Sequence, residues 1–179
     1  MDRVDLLAFH ISPVHSRFNI GMSSLMNLGY PYFYISDSSV QNVEKVLQHH
    51  SPIAIETHPN NFVQWAHLAK EKPHLFENTR YYHSTFDAIN KETMATFLRT
   101  NKESNGIYLQ IYGQSECGPA IVRKHTLESL PTTDVCNMGV SYLDFTKARI
   151  ANEQGTPLPA NAPGNIHLFS KGRAVTYYK

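Results

Sequence analysis

Through the first two-thirds of the chain, short apolar runs of strand length alternate with stretches whose apolar positions recur at helical spacing. Residues 4–9 form the first apolar run. Residues 16–27 carry Phe18, Met22, Leu25 and Met26 at a spacing that predicts one buried helix face. Residues 32–35 are aromatic and favour β structure. Ser38 and Gln41 have the spacing of a capping box, in which Ser38 caps a helix and Gln41 reaches back. Val40, Val43, Val46 and Leu47 then make one stripe. Residues 52–56 predict a third strand. Asn60 or Asn61 is the expected cap of a helix with Phe62, Trp65, Ala66 and Ala69 on its inner face. Residues 80–84 predict a fourth strand. Asn90 caps a helix that buries Met94, Phe97 and Leu98, and Asn105-Gly106 breaks it. Residues 107–111 are the fifth strand.

Five strand–helix repeats with connections of this length predict an α/β fold. Its sheet is parallel, with right-handed crossovers and helices on both faces. After about Thr126 the pattern changes. Pro131, Gly139, Gly155, Pro157, Pro159, Pro163 and Gly164 punctuate shorter alternating runs. Residues 145–150 and 166–169 read as antiparallel strands, with turn chemistry at Glu153-Gln154-Gly155. The expected organisation is an α/β subdomain over residues 1–130, then the start of a β-rich, barrel-like subdomain over residues 131–179. A hairpin plus one strand is marginal alone. The chain enters a buried strand almost at once and closes on the apolar run 174–179, so the expectation is a truncated piece of something longer.

Composition removes several function classes. The 179 residues carry a formal net charge of +1, which argues against nucleic acid or an anionic membrane as a bulk partner. No run of 18 apolar residues predicts a membrane span, and residues 1–5 lack a signal-peptide layout. Cys117 and Cys136 are too few for a disulfide scaffold or a four-ligand zinc site, so a reducing cytoplasm is the expected compartment. Ten histidines are scattered without a ligand spacing. Cys117 reads as a small buried filler, because no basic partner is visible to make it a nucleophile. Trp65 reads as core, and Lys171 and Arg173 as solvated charges on a strand.

One segment carries chemistry. The fifth strand runs into Tyr112-Gly113-Gln114-Ser115-Glu116. In open α/β sheets ligands bind beyond the carboxyl ends of the strands. There Tyr112 can stack on a base, Gly113 lets the backbone pass close to a ligand, Ser115 can hydrogen-bond a phosphate oxygen, and Glu116 can hold Mg²⁺.

This segment resembles the Tyr-Gly-x-Thr/Ser-Glu signature of the adenylate-forming enzymes, which include acyl- and aryl-CoA ligases, luciferases and peptide-synthetase adenylation domains. The flanking order is similar too. Ala8-Phe9-His10-Ile11 resembles the aromatic-His stretch beside the acyl pocket of the acyl-CoA ligases. Leu28-Gly29-Tyr30-Pro31, the segment from Ile53 to Pro59, Met138-Gly139, the run from Gly155 to Pro159, and Gly164-Asn165-Ile166 follow the family's order. The resemblance implies that Tyr112 stacks on adenine, Ser115 meets the adenylate phosphate and Glu116 binds Mg²⁺. It places Gln110, Ile111 and Gly113 along the acyl group and the nucleotide, and His10 near the carboxylate. Thr85 and Phe86 lie where the family has a Gly-Gly-Ala/Glu-Pro stretch bordering adenine. The implied reaction is carboxylate plus ATP to acyl-adenylate plus pyrophosphate, then transfer to the thiol of CoA or of a carrier protein. ATP or AMP is substrate, and no tightly bound cofactor is expected.

The departures bear on activity. Residues 84–88 read Ser-Thr-Phe-Asp-Ala in place of the Gly-rich stretch, and Asn165 replaces a Glu. The family's Lys-bearing phosphate loop, its ribose-binding Thr-Gly-Asp and its catalytic-Lys domain have no counterpart in these residues. The expectation is therefore that the isolated chain does not catalyse adenylation, and that surface left by a missing neighbour favours a homodimer. Alternatives are a non-catalytic remnant serving as a binding module, an amino-acid-activating domain, and an unrelated doubly wound nucleotide-binding domain.

Overall fold

The computed structural model describes residues 6–134, 137–141 and 143–174. The segments 1–5 and 175–179 and Cys136, on which expectations were placed above, lie outside the described residues. The order is β1 (Leu7–His10), α1 (Ser16–Leu28), β2 (Tyr32–Tyr34), α2 (Val40–His49), β3 (Ala54–Thr57), α3 (Pro59–Glu71), β4 (Tyr81–Thr85), α4 (Lys91–Thr100), β5 (Ile107–Gln114), β6 (Gly118–His125), β7 (Val140–Ser141), β8 (Thr146–Ala151) and β9 (Asn165–Ser170). The main sheet has strand order β2-β1-β3-β4-β5-β6-β7. Its first five strands are parallel, and β6 and β7 join antiparallel. This is the α/β architecture the pattern predicts. Because β1 and β3 are neighbours while β2 lies on the far side of β1, the winding reverses between β1 and β3. That reversal opens a crevice at the carboxyl ends of the strands.

The helices divide unequally between the two faces. Val43 and Leu47 of α2, Phe62, Trp65 and Leu68 of α3, and Met94, Phe97 and Leu98 of α4 pack in one core with Ala8, Ile55, Tyr82 and Tyr108 of the strands. Trp65 is fully buried, as read from the sequence, and its Nε1 donates to the Ser38 carbonyl at 2.8 Å. Successive strand residues point to opposite faces, so Phe9 faces away from this core. There α1 covers it, with Gly21 so close that a Cβ would meet Phe9 Cζ at 2.8 Å. Of α1 only Gly21 is buried. Phe18 packs on Phe9 and Tyr34, but Met26 is 68 % exposed, so the predicted inner face of this helix is only partly used.

Two predicted caps are replaced. Ser39, not Ser38, precedes α2 and makes no side-chain cap bond. Asp37 organises that turn, accepting from the Ser39 N–H at 2.9 Å, while its carbonyl accepts from Asn42 at 2.7 Å. At α3 the cap is His58, with Pro59 opening the helix where a missing N–H costs nothing. Asn61 lies inside the helix and donates back to Thr57 Oγ1 at 2.7 Å. Asn90 caps α4 as predicted, accepting from the Thr93 N–H at 2.8 Å.

The fifth strand does not stop at Ile111. It continues to Gln114 because β6, which the pattern did not predict, folds back antiparallel beside it. Beyond the main sheet, β8 and β9 form a separate antiparallel pair in the expected place. Gly155 sits at φ +80 in the turn after β8. Lys171 and Arg173 fall just past β9. The Arg173 guanidinium lies 4.5 Å from the Phe169 ring centroid, so this charge covers an aromatic face. No helix among the described residues is long and apolar enough to cross a membrane.

Candidate functional site

The β5–β6 hairpin gives the Tyr112–Glu116 segment its shape. Tyr112, Gly113 and Gln114 belong to the strand, and Ser115, Glu116 and Cys117 form the turn. The register shifts between Tyr112 and Gly113. A Cβ on Gly113 would lie 2.6 Å from the Gly118 carbonyl oxygen and 3.1 Å from Pro119 Cα. The close approach that demands glycine here is therefore the partner strand's own backbone. Gly118 closes the turn at φ +69, a left-handed conformation natural to glycine.

The turn borders a cavity of about 430 Å³ at the carboxyl ends of the strands. Its lining includes Thr85 and Phe86 from the end of β4, Ile111 and Gly113 from β5, and Ser115 and Glu116 from the turn. Six of the nine residues singled out in the sequence thus share one space. The other three do not line it. Gln110 is buried on the opposite face of β5, with its Oε1 3.1 Å from His125 Nε2, and its Nε2 has no partner among the described residues. Tyr112, two residues on, shares that face and is half-buried. His10 ends β1 with its Nδ1 2.5 Å from the Ile35 carbonyl and its ring stacked on Tyr34 at 6.0 Å.

The first turn of α1 supplies a wall that sequence reasoning missed, through His15, Ser16, Arg17 and Ile20. The signal was present as a His-Ser-Arg run directly before the apolar helix stripe. His15 is the N-cap, and its Nδ1 accepts from the Arg17 N–H at 3.0 Å. Ser16 Oγ lies 3.5 Å from Ser115 Oγ, so the helix start and the turn meet. Arg17 Nε donates to Glu56 Oε1 at 2.8 Å, and this pair is mostly shielded, with side-chain exposures of 21 and 15 %. A helix N-terminus and two hydroxyls favour an anion at this edge, while the Arg17 charge is already matched by Glu56.

Phe86 has φ +85, an unusual backbone for a bulky residue. The residue is 43 % exposed. It stacks on His58 with centroids 4.4 Å apart and meets the edge of His15 at 4.4 Å. Burial, together with the nearby imidazoles of His10 and His15, holds the His58 imidazole below its ordinary range. Burial also lowers His83 on β4, where Glu56 pulls up and Arg17 pushes down.

Among the described residues, no group of three or more His, Cys, Asp or Glu could cage a metal. Mg²⁺ needs less from a protein when substrate phosphates and water complete its shell, and one carboxylate suffices. Glu116, exposed in the turn, is such a carboxylate, and its backbone carbonyl is fixed by the Ala174 N–H at 2.7 Å. The residues present fit that mode of binding.

This combination of sheet order, hairpin and following antiparallel pair is the fold of a subdomain of the adenylate-forming enzymes. A luciferase-like enzyme from the nonluminescent mealworm Zophobas morio matches 97 % of this chain with a TM-score of 0.80 at 14 % identity, over 41 % of its own chain. ATP-bound MatB from Rhodopseudomonas palustris matches 94 % with a TM-score of 0.71 at 13 % identity, over 32 % of its own. No protein-family model matches the sequence. Among curated proteins, the 3-amino-2-hydroxy-4-methoxybenzoate diazotase of Streptomyces cremeus is 29 % identical over 164 residues, which is 92 % of this chain and 30 % of the diazotase. The chain therefore spans under a third of that relative's length.

Proposed function

We propose that this chain carries the acid-facing and phosphate-facing wall of an AMP-forming ligase site. The observation that supports this best is the gathering of Thr85, Phe86, Ile111, Gly113, Ser115 and Glu116 around one cavity at the strand ends. In this reading Ser16 and Ser115 hold phosphate oxygens by hydrogen bonds, and the start of α1 favours their negative charge. Glu116 is the protein ligand for Mg²⁺, which would neutralise charge on the phosphates. Tyr112 lies outside this cavity, on the other face of β5, so adenine would have to reach past the strand end to meet its ring. Ile20, Ile111 and Phe86 enclose the organic part of the acid. Catalysis of this type works by positioning and charge neutralisation. The 179-residue chain alone supplies only part of that machinery, and adenylation belongs to a larger protein that also binds CoA or a carrier-protein thiol.

The test is a titration of the chain with AMP, with and without Mg²⁺, read by amide chemical shifts. Shifts at residues 113–116 that need Mg²⁺ in the wild type and lose that dependence in Glu116→Ala support the reading. AMP binding that ignores both Mg²⁺ and Glu116 contradicts it.

A second reading is favoured by the Streptomyces relative, whose name describes diazotisation of an aminobenzoate. There the parent protein would act at the amino nitrogen carried by the substrate's ring and not at the carboxylate. A diazo product from an aminobenzoate and nitrite, with no thioester formed when CoA is supplied, would favour this second reading.

A further inference from the structure

We infer that the acid taken by this cavity is a planar aromatic carboxylic acid, and that Phe86 selects it. The inference rests on the adenylate-forming reading of the same cavity and names its substrate class.

His15 follows β1 and Phe86 follows β4, and both line the cavity with ring centroids 4.4 Å apart. His58, which follows β3, stacks behind Phe86 at 4.4 Å and holds that ring in place. Phe86 holds its ring there at φ +85. A bulky side chain at positive φ carries backbone strain that glycine would avoid. The strained backbone leaves Phe86 43 % exposed on the cavity wall, where burial in the core would have been the ordinary outcome. Ile20, 41 % exposed, and Ile111 add apolar surface to the same space. Ser16 and Ser115, with hydroxyls 3.5 Å apart, and the adjacent Glu116 give the cavity a polar edge. A flat ring with a carboxylate at one end matches that distribution. Its faces meet aromatic and branched apolar surface while the carboxylate reaches the hydroxyl and phosphate edge. A cavity of about 430 Å³ lies toward the small end of ligand sites, which suits a single ring. The aminobenzoate in the name of the Streptomyces relative is of this class.

An aromatic pair adds about 0.5–1.5 kcal/mol beyond area burial, which corresponds to a preference of roughly 2- to 10-fold for an aromatic acid over a saturated acid of the same size. The experiment measures binding of benzoate and cyclohexanecarboxylate to the 179-residue chain by saturation-transfer NMR, with AMP and Mg²⁺ present. Wild type, Phe86→Leu and Phe86→Gly are compared. Benzoate is expected to bind roughly 2- to 10-fold more tightly than cyclohexanecarboxylate to the wild type. Both variants should lose that preference. Phe86→Gly serves as the control for folding, since it removes the left-handed strain. Equal binding of the two acids, or a preference that survives both substitutions, overturns the assignment of Phe86. If AMP binds and neither acid does, the substrate class fails while the nucleotide reading stands. If AMP fails to bind as well, both fall.

Discussion

Gly113→Ala separates the two ways a glycine can matter. Gly113 is not in the left-handed region, so alanine suffers no conformational penalty there. Its problem is contact. The new Cβ would lie 2.6 Å from the Gly118 carbonyl oxygen, 3.1 Å from Pro119 Cα and 3.2 Å from the Gly118 carbonyl carbon. All three are backbone atoms, so no side chain can rotate away, and the hairpin must open by several tenths of an ångström. Overpacking of this kind costs about 1–3 kcal/mol. Alanine recovers about 0.4–1 kcal/mol by restricting the unfolded chain. The net loss is up to about 2.6 kcal/mol, or a drop of up to about 10 °C in the unfolding midpoint at this chain length. The substitution should also displace Ser115 and Glu116, which the same turn carries. Gly118→Ala is the contrasting variant. It meets nothing within 4 Å but would hold alanine at φ +69, which costs about 1–2 kcal/mol of backbone energy with no displaced neighbour. The assays are thermal unfolding and amide shifts over residues 114–118. Both variants should melt lower, and only Gly113→Ala should shift the turn and weaken binding of AMP with Mg²⁺. A Gly113→Ala chain with an unchanged midpoint and unchanged shifts would refute the reasoning.

Further expectations concern the core, the histidines and the surface. Phe62 is fully buried and has ring contacts with Trp65, Tyr82, Phe97 and Tyr108. Phe62→Ala should cost about 3–5 kcal/mol in urea unfolding, and a loss below 1 kcal/mol would remove Phe62 from the centre of the core. His58, His83 and His125 have lowered imidazole pKa values, each chiefly through burial. Between those lowered values and the ordinary value near 6.5, the unfolded chain binds more protons than the folded one. Stability is therefore full above about pH 6.5 and declines as pH falls below it. The urea midpoint should drop from pH 7 to pH 5, and His83→Gln should flatten that slope; a midpoint that rises on acidification contradicts the assigned burial. Met26 and Leu28 leave 68 and 64 % of their surface exposed on α1. We expect the chain to self-associate at high concentration, and light scattering that shows a clean monomer counts against it.

The fold was legible where one period dominated. The stripes Val43–Leu47 and Phe62–Trp65 and the pair Phe97–Leu98 each lie on a core that they fill, and the five parallel strands follow from them. Caps were less legible, because several polar residues compete for one position and tertiary contacts decide between them. Ser38 offered a hydroxyl, yet its carbonyl is committed to Trp65, and Asp37 took over the turn. The strand β6 escaped notice because its apolar part is only Ala120-Ile121-Val122, set between Gly118-Pro119 and Arg123-Lys124. Its stability comes from pairing with β5, which no local pattern records. The site divided in the same way. Ser115 and Glu116 are adjacent in sequence and could be read together. Ser16 and Ser115 are 99 residues apart and meet only through the sheet. Phe86 shows its character only through a backbone angle and two ring contacts, and none of these is written in the sequence around it.

The proposed role of the cavity beside Ser115 and Glu116 is to hold an acyl-adenylate. The most direct measurement is calorimetric titration of the chain with a non-hydrolysable acyl-adenylate mimic, set against AMP and the free acid. Tighter binding of the mimic than of either component, weakened by Phe86→Leu and by Gly113→Ala, is the predicted result. A mimic that binds no better than AMP, or that leaves the amides of residues 113–116 unshifted, would contradict it.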